Sequence, residues 1–566
     1  MSLLLNNLEG QIIALVGGNI LHPETQKITY ESLILITGDR ITHIGSKYTT
    51  KIPPQAKIID ISGKWVIPGL IDGHVHFFQS GGLYTRPDII HLDSIKEKLV
   101  TFKTYEQDQQ WIQQNIEDIF RRYLACGITT VVDMGGPFWN FALRRKALQT
   151  PAAPTIITTG PLIATYQPAV FKGEDSPIIK VNSENEARNW VLKQLPHKPD
   201  FIKIWYITSE ESAESNYSIV KAAIEAAHQH KLRVAVHATE LKTAQLAVRA
   251  GADILVHSID DTLIPYDFLQ TLQRKKIGYI PTLLVHKRYR EILSRQYNFT
   301  PDEILWGHPE IVASLLEIKK LPKDSLPWKM RRMASTTRIG DNWNALVNLK
   351  NVIQQNVLVG LGTDAGNIGT LHGASYTNEA LLFRKAGLTN WQILRAATYD
   401  AAKMFRKEHE IGSIQKGKRA DIVVLNQNPL DSILHLGDIY MVIKYGIPFL
   451  RDSLITFSNV DIVNIQLNAY NARNIEAFMK TYSENIKLYN FPSEPRFSNY
   501  YAMKIHYEKF FENNPGLYCT IKNRIVQGNF IIDQEYVTGL SNGQTIKAVA
   551  TYEVQKGKIQ NVWFIR

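Results

Sequence analysis

Apolar and polar residues alternate in short runs through the N-terminal stretch, as in Gln11-Ile12-Ile13-Ala14-Leu15-Val16 and in Leu33-Ile34-Leu35-Ile36-Thr37 before the Gly38-Asp39 turn. That period of two predicts a small β-layer. From Trp65 to about Phe405, brief apolar runs alternate with segments of helical period, the arrangement of βα units around a parallel sheet. Predicted strands are Val66–His76, Thr129–Met134, Thr155–Thr159, Phe201–Trp205, Val234–Ala238, Ile254–Ser258, Tyr279–Leu284 and Val357–Thr363. Eight strands over such a length are what a (β/α)8 barrel with insertions needs. The helical stretch between Pro301 and Gln355 is too long for one return and predicts an extra helical layer.

Short strands return after the barrel, in Ile411-Gly412-Ser413-Ile414-Gln415-Lys416-Gly417 and Ala420-Asp421-Ile422-Val423-Val424-Leu425, and are expected to pair with the N-terminal ones. An amphipathic helix Ala469–Tyr482 follows, with Ile475, Phe478, Met479 and Tyr482 on one face, and then a helix around Tyr500–Glu512. Gly528-Asn529, Asn542-Gly543 and Lys556-Gly557 have the chemistry of hairpin turns, so the tail predicts two helices and a curled antiparallel sheet. Three domains result: a composite β-sandwich from residues 1–65 and 406–460, the α/β barrel at 66–405, and an α+β domain at 465–566.

Composition narrows the class. The 566 residues are 44% hydrophobic and 21% charged, which excludes a disordered or collagenous chain. Cys126 and Cys519 are the two cysteines, so neither a disulfide framework nor a cysteine-rich zinc module can be built, and a metal would have to use His, carboxylate or a modified side chain. The net charge of +11 is spread along the chain rather than gathered into an arm, so nucleic acid is not an expected partner. No stretch approaches the roughly 20 apolar residues of a membrane span, and the N-terminus lacks the pattern of a signal peptide, which reads as cytoplasmic.

Two His-x-His pairs occur, where 16 histidines would give about 0.5 by chance. His228-Gln229-His230 closes a helical pattern, where residues two apart diverge and cannot share an ion; cations favoured at a helix C-terminus explain it. His74-Val75-His76 ends an apolar strand instead, where residues two apart share a face, and Gly69 and Gly73 leave the backbone room to turn. Lys203, His237, His257 and Asp364 likewise follow the apolar runs of predicted strands. One polar residue per strand end, drawn from several strands, is how a barrel assembles a site on its C-terminal face.

Pro68-Gly69-Leu70-Ile71-Asp72-Gly73-His74-Val75-His76, Lys203, His237, His257, Gly362-Thr363-Asp364 and Gly412-Ser413-Ile414…Ala420-Asp421 together resemble the amidohydrolase superfamily, most of all its imidazolonepropionase and prolidase-like dipeptidase branch. The resemblance implies a metal-bearing barrel flanked by the β-domain. It implies that His74 and His76 bind a buried metal with Asp364, that His237 and His257 bind a second, and that Lys203, carboxylated by carbon dioxide, bridges them. Zinc is the expected metal, with manganese or iron as alternatives. With a bridging hydroxide the centre carries a net charge of about +1, suited to an anionic tetrahedral intermediate. Asp364 would take the proton from the attacking water and deliver it to the leaving amine. The implied reaction is hydrolysis of an amide-type C–N bond in a small molecule: a dipeptide, an N-acyl amino acid or a cyclic amide.

Two alternatives stay open. His237-Ala238-Thr239-Glu240 matches the His-x-x-Glu spacing of mononuclear aminohydrolases that deaminate heterocycles, with Glu240 as proton shuttle. A metal-free barrel could serve as an inactive scaffold. Tyr166, His286, Arg288 and His372 follow predicted strand ends and are candidates to bind substrate. The tail resembles the SnoaL-like form of the nuclear-transport-factor and ketosteroid-isomerase cone fold, on Asn471-Ala472-Arg473-Asn474-Ile475-Glu476-Ala477-Phe478 and Tyr489-Asn490-Phe491-Pro492. That resemblance implies a module that binds a small apolar ligand or joins copies into a homo-oligomer, with Asp533 and Tyr536 as candidates to face a cavity.

Overall fold

The computed structural model describes residues 11–88, 99–173, 175–208, 212–321, 331 and 342–565. Residues 1–10 and the centre of the predicted helical stretch, 322–330 and 332–341, lie outside the described residues. Two compact units divide the chain, one within residues 1–91, 103–290 and 336–455, the other within 92–102, 291–335 and 456–566.

The first unit opens on strands β1 (Ile12–His22), β2 (Lys27–Thr37), β3 (Arg40–Ser46), β4 (Lys57–Asp60) and β5 (Trp65–Pro68). They share one eight-stranded sheet with three strands from later in the chain, Ile422–Leu425, Ile439–Lys444 and Ile447–Leu450. Alternation decides which side chains meet. Ile13, Leu15, Ile34 and Ile36 turn to one core with Val66, Ile422 and Val424, while Ala14, Leu33 and Leu35 pack on the opposite face.

The predicted strand Val66–His76 is two strands in different sheets. β5 pairs antiparallel with Ile422–Leu425, whereas β6 (Leu70–Val75) pairs parallel with β7 (Ile128–Asp133). The chain crosses between sheets at Pro68-Gly69. Proline has no N–H to extend a ladder, and the next two amides part company: Gly69 donates to Asp421 O at 2.9 Å and Leu70 to Gly127 O at 3.0 Å.

The parallel strands continue as β8 (Thr155–Thr158), β9 (Leu162–Ala164), β10 (Ile178–Lys180), β11 (Phe201–Trp205), β12 (Arg233–His237), β13 (Ile254–Val256), β14 (Gly278–Ile280) and β15 (Leu358–Val359). They form a three-stranded sheet, β6-β7-β8, and a seven-stranded sheet, β10-β9-β11-β12-β13-β14-β15. β9 and β10 are three-residue strands that no sequence period announces. The predicted strand Tyr279–Leu284 stops at Ile280, because a helix already begins at Leu283 (Leu283–Leu293). Its first amides, Leu283 and Leu284, donate to the buried Glu379 carboxylate at 2.8 and 2.7 Å, which supplies the acceptors that a helix start lacks. The segment after β15 hydrogen-bonds back to β6: Gly73 N to Leu361 O at 2.8 Å and Asp364 N to His74 O at 2.7 Å. A Cβ on Gly73 would lie 2.8 Å from that Leu361 oxygen, so close backbone approach is what the glycine permits.

A buried ionic cluster joins the two layers of this unit. Lys444 Nζ donates to Asp421 Oδ2, Thr129 O and Thr155 Oγ1, each at 2.8 Å, and Arg419 Nε reaches Asp421 at 2.8 Å. Burial alone would raise the Asp421 carboxyl; Arg419 and Lys444 outweigh it and hold the group below its ordinary value.

In the second unit the predicted helix Ala469–Tyr482 is broken in two. Arg473 turns left-handed (φ 57°) after helix Asn459–Ala472, and Asn474 caps helix Ile475–Lys480 by accepting from Ala477 N at 2.9 Å. Strands Tyr482–Asn490, Glu494–Pro495, Tyr518–Gln527, Phe530–Thr538, Ile546–Gln555 and Lys558–Ile565 form a sheet beside helix Tyr500–Asn513. It is antiparallel except where Tyr482–Asn490 runs parallel to Lys558–Ile565. The predicted extra helical layer is divided: helices Pro301–Trp306 and Pro309–Glu317 belong to this unit, whereas Trp343–Gln354 belongs to the first. Asn468 Nδ2 donates to Pro309 O at 2.8 Å and Asn474 Nδ2 to Phe299 O at 3.0 Å, ties between residues too distant in sequence to foresee.

Removing one member of the Asp421 cluster leaves the others buried without a counter-charge. Asp421→Ala is expected to cost about 3–5 kcal/mol of stability in denaturant unfolding, and adding Lys444→Met should recover a measurable part of it.

Candidate functional site

Strand ends bring the predicted polar residues to one cavity of about 130 Å3. His76, Lys203, His237, His257 and Asp364 line it, together with Phe78, Leu162, Ile178, Trp205 and Val285. His74 sits just beneath, fully buried. His74 Nε2 and His76 Nε2 are 3.3 Å apart, and each lies 3.4 Å from Asp364 Oδ1. His76 Nδ1 donates to Gly135 O at 2.8 Å, which leaves Nε2 as a lone pair aimed at the same point. These three atoms can hold a divalent cation. The His257 ring packs 4.3 Å from the His237 ring and 4.9 Å from that of His74, with Nδ1 bonded to Thr282 Oγ1 at 2.7 Å and 3.9 Å from Asp364 Oδ2.

Electrostatics agree with a metal-binding set. Burial pushes the imidazoles of His74, His237 and His257 well below their ordinary value, and His76 to about 3, so all four are neutral at pH 7, the form in which an imidazole can bind a metal. Burial lifts Asp364 to about 6 against the pull of Lys203 and Arg86. Lys203 is 1% exposed, its Nζ has no hydrogen-bond partner, and burial lowers it to about 7. Such a buried, unsatisfied amine among acceptors fits a group that would add ligand oxygens, which is the chemistry of a carbamate.

The backbone is bent to make this possible. His257, Thr282 and Asp364 all lie in the left-handed region, at φ 75°, 42° and 59°. Non-glycine residues held there cost of order 1–3 kcal/mol each and persist only where their surroundings over-determine them. Asp72, at 0% exposure, is one such surrounding group. It accepts from Thr363 N at 2.9 Å, from Thr363 Oγ1 at 2.6 Å and from His74 N at 3.3 Å, so it binds the two ligand-bearing segments together. Asp133 does the same for the loop after β6, accepting from Phe77 N at 3.4 Å, Asn140 Nδ2 at 3.0 Å and Thr158 Oγ1 at 3.0 Å.

A second layer orients Asp364. Asn367 Nδ2 donates to Asp364 Oδ1 at 2.8 Å, and its Oδ1 accepts from Tyr289 OH at 2.6 Å and from Arg86 at 3.1 Å. Asp88 holds Arg86 through two bonds of 2.8 and 2.6 Å. The sequence reading passes over Arg86, Asn367 and Tyr289. Asp72 had a readable signal, since it stands two residues before His74 on the same strand face.

The remaining candidates are placed differently. His286 lines the cavity and lies 3.9 Å from Asp260. Tyr166 packs behind it, its ring 6.2 Å from that of Trp205. Arg288 is buried on helix Leu283–Leu293, whose cavity-lining residues are Val285, His286 and Tyr289. His372 is a positioning residue: its Nε2–H donates to Gln79 O at 2.8 Å, Tyr123 OH donates to Nδ1 at 2.7 Å, and the ring stacks on Phe77. Glu240 is exposed and accepts from Thr208 Oγ1 at 3.1 Å instead of entering the cavity.

Known proteins match in both units. The amidohydrolase family matches residues 65–448 and the SnoaL-like domain residues 465–562. Guanine deaminase of Escherichia coli (strain K12) is 24% identical over 425 residues, covering 73% of this chain and 86% of that protein. Imidazolonepropionase of Fusobacterium nucleatum subsp. nucleatum is 22% identical over 431 residues, 71% of this chain and 87% of that protein. A crystal structure of a Xaa-Pro dipeptidase with methionine in its active site superposes at TM-score 0.59 and 20% identity, over 78% of this chain and 100% of that one. At these identities the structural likeness speaks for the fold alone.

The bonds of Asn367 make a prediction about metal affinity. Asn367→Ala frees Asp364 to rotate, and zinc affinity measured by competition with a chromogenic chelator is expected to fall by about 10–100-fold.

Proposed function

Because the chain belongs to the amidohydrolase family, we propose that it is a metal-dependent hydrolase that cleaves an amide-type C–N bond in a dipeptide, an N-acyl amino acid or a cyclic amide. The reading takes β6, β7, β8 and β11 to β15 as the eight strands of one (β/α)8 barrel with the site on the C-terminal face, and the short β9 and β10 as additions to it. The main-chain bonds from β6 to residues 361–365 support that closure. His74, His76 and Asp364 would hold one ion and His237 and His257 a second, and a carboxylated Lys203 would supply oxygen ligands to the centre. The observation that carries this assignment is Lys203 itself: a buried amine with no partner, in the cavity that the histidines line. Carbamate formation joins the neutral amine to carbon dioxide and releases one proton, and it turns an unsatisfied donor into an anionic pair of oxygens.

Bound there, zinc, manganese or iron would supply a Lewis acid and an acidified water. Asp364 would accept the water's proton and return it to the leaving amine. Asn367 keeps one Asp364 oxygen occupied, so the other is left for that transfer. Phe78, Leu162, Trp205 and Val285 give the substrate an apolar wall and limit water. His286 and Tyr289 add polar contacts at its edge.

Deamination of a heterocycle is the second reading, raised by the likeness to guanine deaminase. It requires Glu240 at the reacting atoms, and the exposed position of Glu240 beside Thr208 weighs against it. An inactive scaffold has no use for a complete donor set. The SnoaL-like domain is taken as a binding or oligomerisation module.

Lys203→Ala decides the matter. The variant is expected to bind about one metal per chain instead of two, to lose hydrolysis of a panel of dipeptides and N-acyl amino acids, and to regain both with acetate or propionate. Full activity in that variant, or ammonia release from guanine without amide cleavage, would sink the amide reading. Since burial lowers Lys203 to about 7, its amine is neutral above that pH and protonated below. Metal loading of the apoprotein in bicarbonate should therefore rise as pH increases through about 7.

A further inference from the structure

The curled sheet of the C-terminal unit encloses a cavity of about 300 Å3. We propose that it binds a planar aromatic or heteroaromatic molecule of one or two rings that presents an N–H donor to the Glu535 carboxylate. Its walls are the rings of Tyr470, Tyr482, Tyr507, Phe510, Tyr552 and Phe564. A dry cavity of roughly 150 Å3 is enough to take up benzene, so twice that volume suits about two rings.

Strand alternation puts the polar group in place. On Phe530–Thr538, Ile531, Asp533, Glu535 and Val537 turn inward, whereas Tyr536 faces outward beneath Lys522 and Lys547. Tyr536 is therefore not a cavity residue, and Asp533 is already satisfied: both its oxygens accept from Arg524 at 2.6 Å. Glu535, two residues on, is different. It is 9% exposed, one oxygen accepts from Tyr552 OH at 2.5 Å, and no described protein group donates to the other. A buried acceptor without a donor is costly, and here it opens on a ligand-sized space.

The surrounding chemistry selects the donor. Burial lifts the Glu535 carboxyl to about 7, and in its ionised form, above that pH, it refuses an anionic ligand end and rewards an N–H; the negative faces of six aromatic rings favour electron-poor or cationic heterocycles over electron-rich ones. Gln466 Nε2 donates to Tyr482 OH at 3.0 Å, so that part of the wall does not compete for Glu535. Toward the exposed end, His506 stacks on Phe510 and Arg496 lies 4.8 Å from the Phe564 ring, extending the aromatic surface outward.

Calorimetry on the full-length protein tests this with two probes of similar shape, 2-aminobenzimidazole, which carries N–H donors, and 2-methylbenzofuran, which has none. At a pH above about 7, where Glu535 is ionised, the wild type is expected to prefer 2-aminobenzimidazole by about tenfold or more, as a charge-assisted hydrogen bond implies. Glu535→Leu should erase that preference while retaining 2-methylbenzofuran, and Ala548→Trp, which fills the cavity, should abolish both. Where Glu535→Leu does not fold by thermal unfolding, Glu535→Gln, which halves the acceptor capacity, should still cut the preference severalfold. Equal affinities for the two probes, no binding of 2-aminobenzimidazole, or binding unchanged in Glu535→Leu and Ala548→Trp would overturn the proposal.

Discussion

Withdrawal of ionisable groups from water is the constraint around which the first unit is arranged. Four imidazoles, a carboxyl and an amine share one small cavity, and burial drives each toward its neutral form. A set of this kind is costly as a mere core, because Lys203 Nζ and His74 Nδ1 have no hydrogen-bond partner. Its chemistry suits the proposed role of binding a cation. The cost is spread outward: three left-handed residues at the site, the carboxylates Asp72 and Asp133, which accept from the segments of His74, Phe77 and Thr363, and Glu379, which accepts from the start of the helix on the cavity wall.

Continuity between the β-layer and the parallel sheets serves the same end. Pro68-Gly69 lets one length of chain leave the first sheet and enter the second within a residue, so that β6 starts from a fixed point and delivers His74 and His76 in register. The Asp421–Lys444–Arg419 cluster anchors that crossing on its other side, through Gly69 N to Asp421 O and Lys444 to Thr129 O. A slip of one residue here would turn both histidines to the wrong face.

The gathering of these polar residues at one cavity was readable in the sequence because a strand imposes its own geometry. A polar residue ending an apolar run has few places to go, and His-x-His shares a face on a strand but not on a helix. His228 shows the contrast, ending its helix beside Asp253 at 2.9 Å. What the sequence did not disclose depends on contacts between distant segments. Arg86 reaches Asn367 from a loop far earlier in the chain, and Asn367, three residues after Asp364, turns back onto it without any local period to mark the bond. Helix Leu283–Leu293 begins early because Glu379, nearly a hundred residues later, accepts its first amides. The predicted helix Ala469–Tyr482 misled for a local reason: its apolar stripe continues across the break, and only the left-handed turn of Arg473 separates the pieces.

Glu379 has a consequence for how such a protein can change over time. Residues proposed to hold a cation come from strand ends, while Val285, His286 and Tyr289 on the cavity wall come from a helix whose start is pinned by a single carboxylate. Mutations along that helix face can reshape what the cavity admits while the ligand geometry stays as it is. Chemistry and selectivity are thereby inherited as separable traits, one written in the sheet and the other in the helix that hangs from Glu379.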